Sequence, residues 1–238
     1  MTKSYARQPK QQRSRESYDR VISAAIEILG EGGLAALTLA AVSRRSKASI
    51  GSIYCRVDSK ESLLREVQAV VLQQMEHEFA ALVTRVRRRR LPLAELVPTL
   101  ISEVAHYLRR HAAPLAAFMQ AADRDPVLEE VGRRSFAQTQ LDFKLLLVER
   151  ADEFGHPDPE HAAITCFTIC YAALGRYLGL TAGAPGHNGA GEGDWHQLVE
   201  DLGLMSLAFI LFDLGSEMRI SGAARVGANA ATAKQRAG

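Results

Sequence analysis

Residues 38–60 read Thr-Leu-Ala-Ala-Val-Ser-Arg-Arg-Ser-Lys-Ala-Ser-Ile-Gly-Ser-Ile-Tyr-Cys-Arg-Val-Asp-Ser-Lys. The stretch predicts two short helices, roughly Leu39–Ser46 and Ile50–Arg56, joined by a tight turn. A helix built for core packing carries large aliphatics on one stripe and charge on the other. Ser49, Gly51, Ser52 and Tyr54 instead give the second helix small, hydroxyl and aromatic groups. Such a surface packs poorly on protein and suits close contact with a DNA backbone, the pattern of a helix-turn-helix. The plainer alternative is an ordinary helical hairpin.

The flanking residues fit the first reading. Thr38 is a good N-cap for a helix with Leu39 and Val42 on its buried side, and Ser49 can cap the helix that follows. Gly51 lowers helix propensity by about 1 kcal/mol relative to Ala, which suits a close approach of another surface. Asp58-Ser59-Lys60-Glu61 opens a third helix, with Glu61 three residues after Asp58 in a capping-box arrangement. Lys60 falls in the first turn, where the helix macrodipole disfavours a cation. That placement makes sense if a phosphate sits there.

Arg20–Leu64 resembles the N-terminal domain of the tetracycline-repressor (TetR) family of bacterial transcription regulators. The matching elements are Val21-Ile22-Ser23-Ala24-Ala25-Ile26-Glu27-Ile28-Leu29, Gly32-Gly33, Thr38-Leu39 with Val42, Ser49-Ile50-Gly51-Ser52-Ile53-Tyr54 and Ser59-Lys60-Glu61-Ser62-Leu63-Leu64. They run in order and without a gap over about a fifth of the chain. The resemblance implies an all-α fold, with an N-terminal three-helix helix-turn-helix DNA-binding domain and a C-terminal helical ligand-binding and dimerisation domain. Candidate DNA-binding residues are Thr38, Arg44, Ser49, Ile50, Gly51, Ser52, Tyr54, Arg56 and Lys60. Two features depart from the family pattern. Lys47 stands where the turn usually has Gly, which predicts a left-handed residue at some strain. Arg56 and Val57 replace an aromatic pair, Arg56 adding a phosphate contact and Val57 filling the hydrophobic position with less volume.

A chain of 238 residues, 47% of them hydrophobic, can bury a full core and form two small domains. The net charge is only +2, but it is unevenly spread: twelve basic and six acidic residues lie at or before Arg65, giving +6 there and −4 beyond. A basic end on an acidic body is what phosphate binding requires. Three cysteines, Cys55, Cys166 and Cys170, make no even disulfide framework and point to a reducing cytoplasm. A polar, basic N-terminus predicts no signal peptide, and the apolar stretches 162–180 and 202–212 are too short or too interrupted for a membrane span.

Residues 1–13 are expected to be a disordered basic arm, 14–74 the DNA-binding domain with its motif at about 39–58, 75–220 the effector-binding and dimerisation domain, and 221–238 a disordered tail. The first helix should start at Ser14 or Ser17 and stop at Gly32-Gly33, and a long one should run from Lys60 to Arg90. Helices over Leu93–His111 and Ala112–Ala122, one from Pro126 to about Glu153, one over Glu160–Leu180, and a last from Asp194 to about Met218 follow, with a flexible loop over 183–193. The run Arg85–Arg90 is either a second nucleic-acid patch or a solvated helix end.

The last two helices are apolar on more than one face, which requires burial all round. Either the chain buries them itself or two copies join them in a four-helix interface, as the resemblance also implies. The interface candidates are Ile164, Phe167, Leu174, Leu178, Leu204, Leu207, Ile210 and Leu211, with Gly175, Gly179 and Gly203 available for close backbone approach. Cys166 and Cys170 share a helix face as small hydrophobes or a sensor pair. The seven histidines lack HExxH spacing, and neither Gly-x-Ser-x-Gly nor a phosphate loop occurs, so no enzyme, metal or cofactor is expected. Tyr107, Phe118, Met119, Phe136, Gln140, Phe143 and Tyr171 are candidates to line an effector pocket. The combined reading is a cytoplasmic, homodimeric, ligand-responsive repressor whose partners are a palindromic double-stranded DNA operator and a small-molecule effector. The alternative is a helical small-molecule-binding or scaffold protein without operator binding.

Overall fold

A computed structural model describes residues 7–180 and 193–212. These form α1 (Arg7–Ala36), α2 (Leu39–Ser46), α3 (Ile50–Tyr54), α4 (Lys60–Arg88), α5 (Leu93–Ala122), α6 (Pro126–Val148), a 3-10 turn (Ala151–Glu153), α7 (Pro159–Tyr177) and α8 (Trp195–Leu211). There is no strand among the described residues. Residues 1–6 of the expected arm, most of the expected 183–193 loop, the last turns expected up to Met218 and the expected tail lie outside the described residues.

α1 starts at Arg7, so residues 7–13, expected as disordered arm, are helical. Gln, Arg and Lys are good helix formers, and Pro9 lies in the first turn, where its missing N–H is not needed. Regular geometry stops at Gly33, whose φ of 61° and ψ of −161° are open essentially only to glycine. The next turn holds a second left-handed residue of the head: Lys47, the C-cap of α2, has φ 56° and ψ 25°, as expected. Thr38 Oγ1 accepts from Ala41 N at 3.1 Å and Ser49 Oγ from Ser52 N at 3.1 Å, so both short helices carry their anticipated caps. Val21, Ile22, Ala25, Ile28 and Leu29 of α1 join Val42, Ile53, Leu63, Leu64 and Val67 in the buried core of the head.

α4 is capped differently from the expected Asp58/Glu61 pair. Ser59 is the N-cap, its Oγ accepting from Ser62 N at 3.1 Å while Ser59 N donates to Ser62 Oγ at 3.0 Å. A serine at each end closes the reciprocal box one residue later. Glu61 then sits inside the first turn, where its own backbone N–H, followed by the Ser59 hydroxyl, lowers its carboxyl pKa. The helix runs unbroken across the boundary expected near residue 74.

Two further expectations fail in the body. α5 is one helix from Leu93 to Ala122, with Pro98 and Pro114 inside it. The alanines around Pro114 favour helix strongly, and burial of Leu108, Leu115, Ala117 and Phe118 on either side of it holds the axis together. α6 stops at Val148, and Glu153 belongs to the 3-10 turn, where it accepts from Leu93 N at 3.2 Å and ties the turn to the start of α5. α6 packs on α4 and α7, and α8 on α5. Of the three glycines named for close approach between subunits, Gly203 makes a close approach within this chain: a Cβ there would lie 3.1 Å from Pro98 Cα. Gly175 has ordinary space around it, and Gly179 (φ 71°) forms the turn after α7.

The two left-handed positions should respond oppositely to substitution. A Cβ at Gly33 would meet nothing within 4 Å, so Gly33→Ala tests backbone strain alone. It should destabilise the head by about 1–3 kcal/mol, whereas Lys47→Gly should stabilise it by about 0.5–1 kcal/mol. Urea denaturation followed by circular dichroism measures both. Equal effects of the same sign would contradict the strain argument.

Candidate nucleic-acid interface and cavity

The head presents α3 outward. Ser49, Ile50, Gly51, Ser52 and Tyr54 are all exposed, Ile50 by 45% and Tyr54 by 52%, while Ile53 and Val57 are buried beneath them. Val57 therefore fills the hydrophobic position assigned to it. Thr38 and Arg44 are exposed beside this face. Arg56, just after α3, lies over the Tyr18 ring of α1 at 4.9 Å, and Tyr18 Oη in turn donates to Glu66 Oε2 of α4 at 2.7 Å. Burial, reinforced by the bond to Glu66, pushes the Tyr18 phenol up to about 12 and keeps it a donor.

Lys60 has a structural partner that sequence reasoning missed. Its Nζ donates to Leu34 O at 2.8 Å, just past the break in α1. A cation at the start of α4 is thus tolerated because it caps the carbonyl end of another helix, and its ammonium retains further donors. Arg45 is likewise engaged, at the surface: it pairs with Glu27 at 3.1 Å and Glu31 at 2.7 Å, fastening α2 to α1. The only advance signal was two acids on α1 four residues apart.

Further along α4, Arg65 Nε donates to Asp125 Oδ2 at 2.7 Å. Asp125 is buried, and its Oδ1 accepts from Val127 N and Leu128 N as the N-cap of α6. One turn on, Gln68 Nε2 donates to Leu128 O at 2.9 Å. The beginning of α6 is therefore hydrogen-bonded to the part of α4 next to the head.

Below this joint lies a cavity of about 370 Å³ between α4, α5, α6 and α7. Five of the seven anticipated residues line it: Tyr107, Phe118, Met119, Phe136 and Tyr171. Phe143 does not, being buried against Phe167 with ring centroids 5.3 Å apart, and Gln140 reaches Thr168 on α7 instead. Both lie on the side of α6 that packs against α7. Gln68, Leu72 and Met75 of α4 also line it, as do Ser135 and Thr139 of α6. Gln68 was legible as a polar residue interrupting the buried stripe of α4.

The faces of α7 and α8 divide. Phe167, Leu174 and Ile210, anticipated at a subunit interface, are buried within this chain, and Leu178 and Leu207 are half-buried. Ile164, Leu204, Leu211 and Phe212 are exposed, together with Ile169 and Met205, which the sequence reading did not single out. Cys166 and Cys170 face Ser206 of α8, at 3.8 Å to its carbonyl and 3.3 Å to its hydroxyl. Burial pushes the Cys166 thiol up to about 11 and raises that of Cys170, so both stay protonated as packing groups. Among the described residues no three His, Cys, Asp or Glu side chains are grouped to hold a metal, and no helix is long and apolar enough to cross a membrane. At the far end of α4, Arg85 and Arg87 of the basic run pair with Glu103 and Glu149.

Residues 21–67 match the family described as bacterial regulatory proteins, tetR family, and residues 92–182 the tetracyclin repressor-like C-terminal domain. No curated protein matches the chain. Among solved structures, one from Mesorhizobium loti assigned to the TetR family of transcriptional regulators superposes with a TM-score of 0.67 at 17% identity, over 83% of this chain and 96% of its own. A TetR transcription regulator from Haloarcula marismortui gives 0.61 at 17%, over 83% and 97%. The fatty acid degradation regulator FadR from Bacillus halodurans gives 0.54 at 16%, over 80% and 94%. At these identities the likeness is one of fold.

The α4–α6 joint should be acid-sensitive. Hydrogen bonding from Arg65, then the Val127 and Leu128 N–H groups, holds the Asp125 carboxyl below its ordinary value. A depressed carboxylate stabilises the fold above its unfolded pKa, near 4, and that contribution is lost as pH falls through the folded value. Asp125→Asn should therefore be less stable than the parent at pH 7, with the difference shrinking towards pH 3. Denaturation curves at both pH values test this; a difference independent of pH would contradict it.

Proposed function

Because the chain belongs to the TetR family of bacterial transcriptional regulators, we propose that it is a ligand-responsive repressor that binds a near-palindromic operator as a homodimer. The observation that carries this reading is α3: Ile50 and Tyr54 are large apolar groups left about half exposed on a basic head, with Gly51 open between them. Ile50, Gly51 and Ser52 read bases. Thr38, Tyr54 and Lys60 grip phosphates, and Arg44, Ser49 and Arg56 flank the same face.

The exposed apolar residues of α7 and α8 form the subunit contact. Ile164, Ile169, Leu204, Met205, Leu211 and Phe212 make a face that a second copy covers across a two-fold axis. Two heads so related read half-sites one helical turn, about 34–36 Å, or a multiple of it apart. The cavity holds the effector. Gln68, Leu72 and Met75 come from α4, so a ligand there touches the rod that carries the head. It shifts the spacing between heads only by its differential affinity for the two arrangements, typically about 1–3 kcal/mol.

Selection of genomic fragments by the protein, followed by affinity measurements over a salt series, tests the DNA reading. Binding should weaken steeply with salt, and Lys60→Ala should reduce the slope of log affinity against log salt by about one. Loss of the Leu34 bond alone lowers stability without changing that slope. Absence of salt-sensitive DNA affinity favours the alternative of a helical binding protein that does not recognise an operator, and equal affinity for one isolated half-site contradicts the two-fold arrangement. For an effector, linkage requires that operator DNA weaken ligand binding by the factor by which ligand weakens DNA binding. Identical ligand affinities with and without operator would contradict the repressor mechanism.

A further inference from the structure

The polar groups of the cavity restrict what it accepts. Tyr107 Oη donates to Met75 O at 3.0 Å. Gln68 Nε2 donates to Leu128 O, which fixes the orientation of the amide and leaves Oε1 as its acceptor. Gln68 is only 3% exposed and lines the cavity, yet no described residue donates to Oε1. Ser135 Oγ and Tyr171 Oη also have no partner among the described residues. Among the described residues the only buried side-chain N or O atom without a partner is Trp195 Nε1, so these three oxygens open on the cavity, where a ligand in place of water can donate to Gln68 Oε1.

The walls carry no buried charge. The two charged lining residues, Glu129 and Arg133, are both exposed, and Arg133 pairs with Glu130 at 2.6 Å. Burial raises the Tyr107 and Tyr171 phenols, so both remain neutral. An ionised ligand in the interior would lose its hydration without gaining a counter-ion. Phe118, Phe136 and the two tyrosine rings, with the thioethers of Met75 and Met119, suit a flat π-system by edge contacts and sulfur–ring contacts.

We propose that the cavity takes an uncharged aromatic molecule bearing one hydrogen-bond donor, an aryl alcohol or aryl N–H, that donates to Gln68 Oε1 while its ring packs among Phe118, Phe136 and Tyr171. This rests on reading the cavity as the effector site. The donor is read by a residue of α4 that is itself bonded to α6, so the ligand's polar group lands on the joint between head and body.

Calorimetric titration of the full chain at pH 7 with 2-naphthol, naphthalene, 2-naphthoate and decanoate tests the class. 2-Naphthol should bind about five- to tenfold more tightly than naphthalene, as one added hydrogen bond allows, and should also exceed both carboxylates. Gln68→Leu should abolish the preference for 2-naphthol over naphthalene while retaining naphthalene binding. The order of affinities on the unaltered chain decides the class if that variant does not fold. Absence of saturable 2-naphthol binding, a carboxylate that binds as tightly, or a preference that survives Gln68→Leu overturns the proposal. DNA affinity with and without 2-naphthol is read separately on a fragment selected by the protein. If the preference holds and DNA affinity does not move, the ligand class stands and the effector reading falls.

Discussion

One rigid rod contributes to the packing of both head and body, whose buried residues form one continuous hydrophobic core. At its start α4 buries Leu63, Leu64 and Val67 with the helices of the head, and further on it buries Phe79, Leu82, Val83 and Val86 in the body. At about 1.5 Å per residue its 29 residues span roughly 44 Å without a proline or a glycine to bend them. Head and body cannot shift against each other without remaking the packing of α4, and α1 of the head also packs directly on α5 of the body. The polar contacts are consistent with this: Lys60 holds the end of α1, and Arg65 and Gln68 hold the beginning of α6, all within the first three turns.

Positive charge in the head has two uses, and the sequence alone does not separate them. Lys60 and Arg45 each first satisfy acceptors of the protein, a carbonyl at the end of α1 and a pair of carboxylates on it. A basic excess counted along the chain therefore overstates what remains for a polyanion. Arg44 in the last turn of α2 and Lys47 at its C-cap are exposed with no ion pair among the described residues, and they carry more of the external field than the count suggests.

Local chemistry was the legible part. Thr38 and Ser49 were readable as caps, Lys47 as a left-handed residue, and α2 to the residue, because each depends on its immediate neighbours. Choices between neighbouring partners were not. Ser59 and Asp58 are both good N-caps, and only the extended backbone at Ser59 decides between them. A 3.6-residue period identifies the apolar stripe of α6 but not which helix that stripe meets, so Phe143 and Gln140 were placed in the cavity when they face α7. The same ambiguity assigned Phe167, Leu174 and Ile210 to a subunit contact when they complete the chain's own core. Pro114 was taken as a helix start because its covalent signature favours one, and packing on either side overrode it.

That proline has a mechanical consequence. Inside α5, Pro114 offers no N–H to the carbonyl of Arg110, so the helix lacks one rung between Leu108 and Leu115. Both leucines, with Phe118 and Met119 beyond them, wall the cavity. The wall is therefore divided into two rigid panels joined at a compliant seam. Its inner width yields at smaller energetic penalty than that of the facing wall formed by α4, whose backbone ladder has no such gap. Differences in guest thickness are absorbed on the α5 side, and the rod on the opposite side keeps its register.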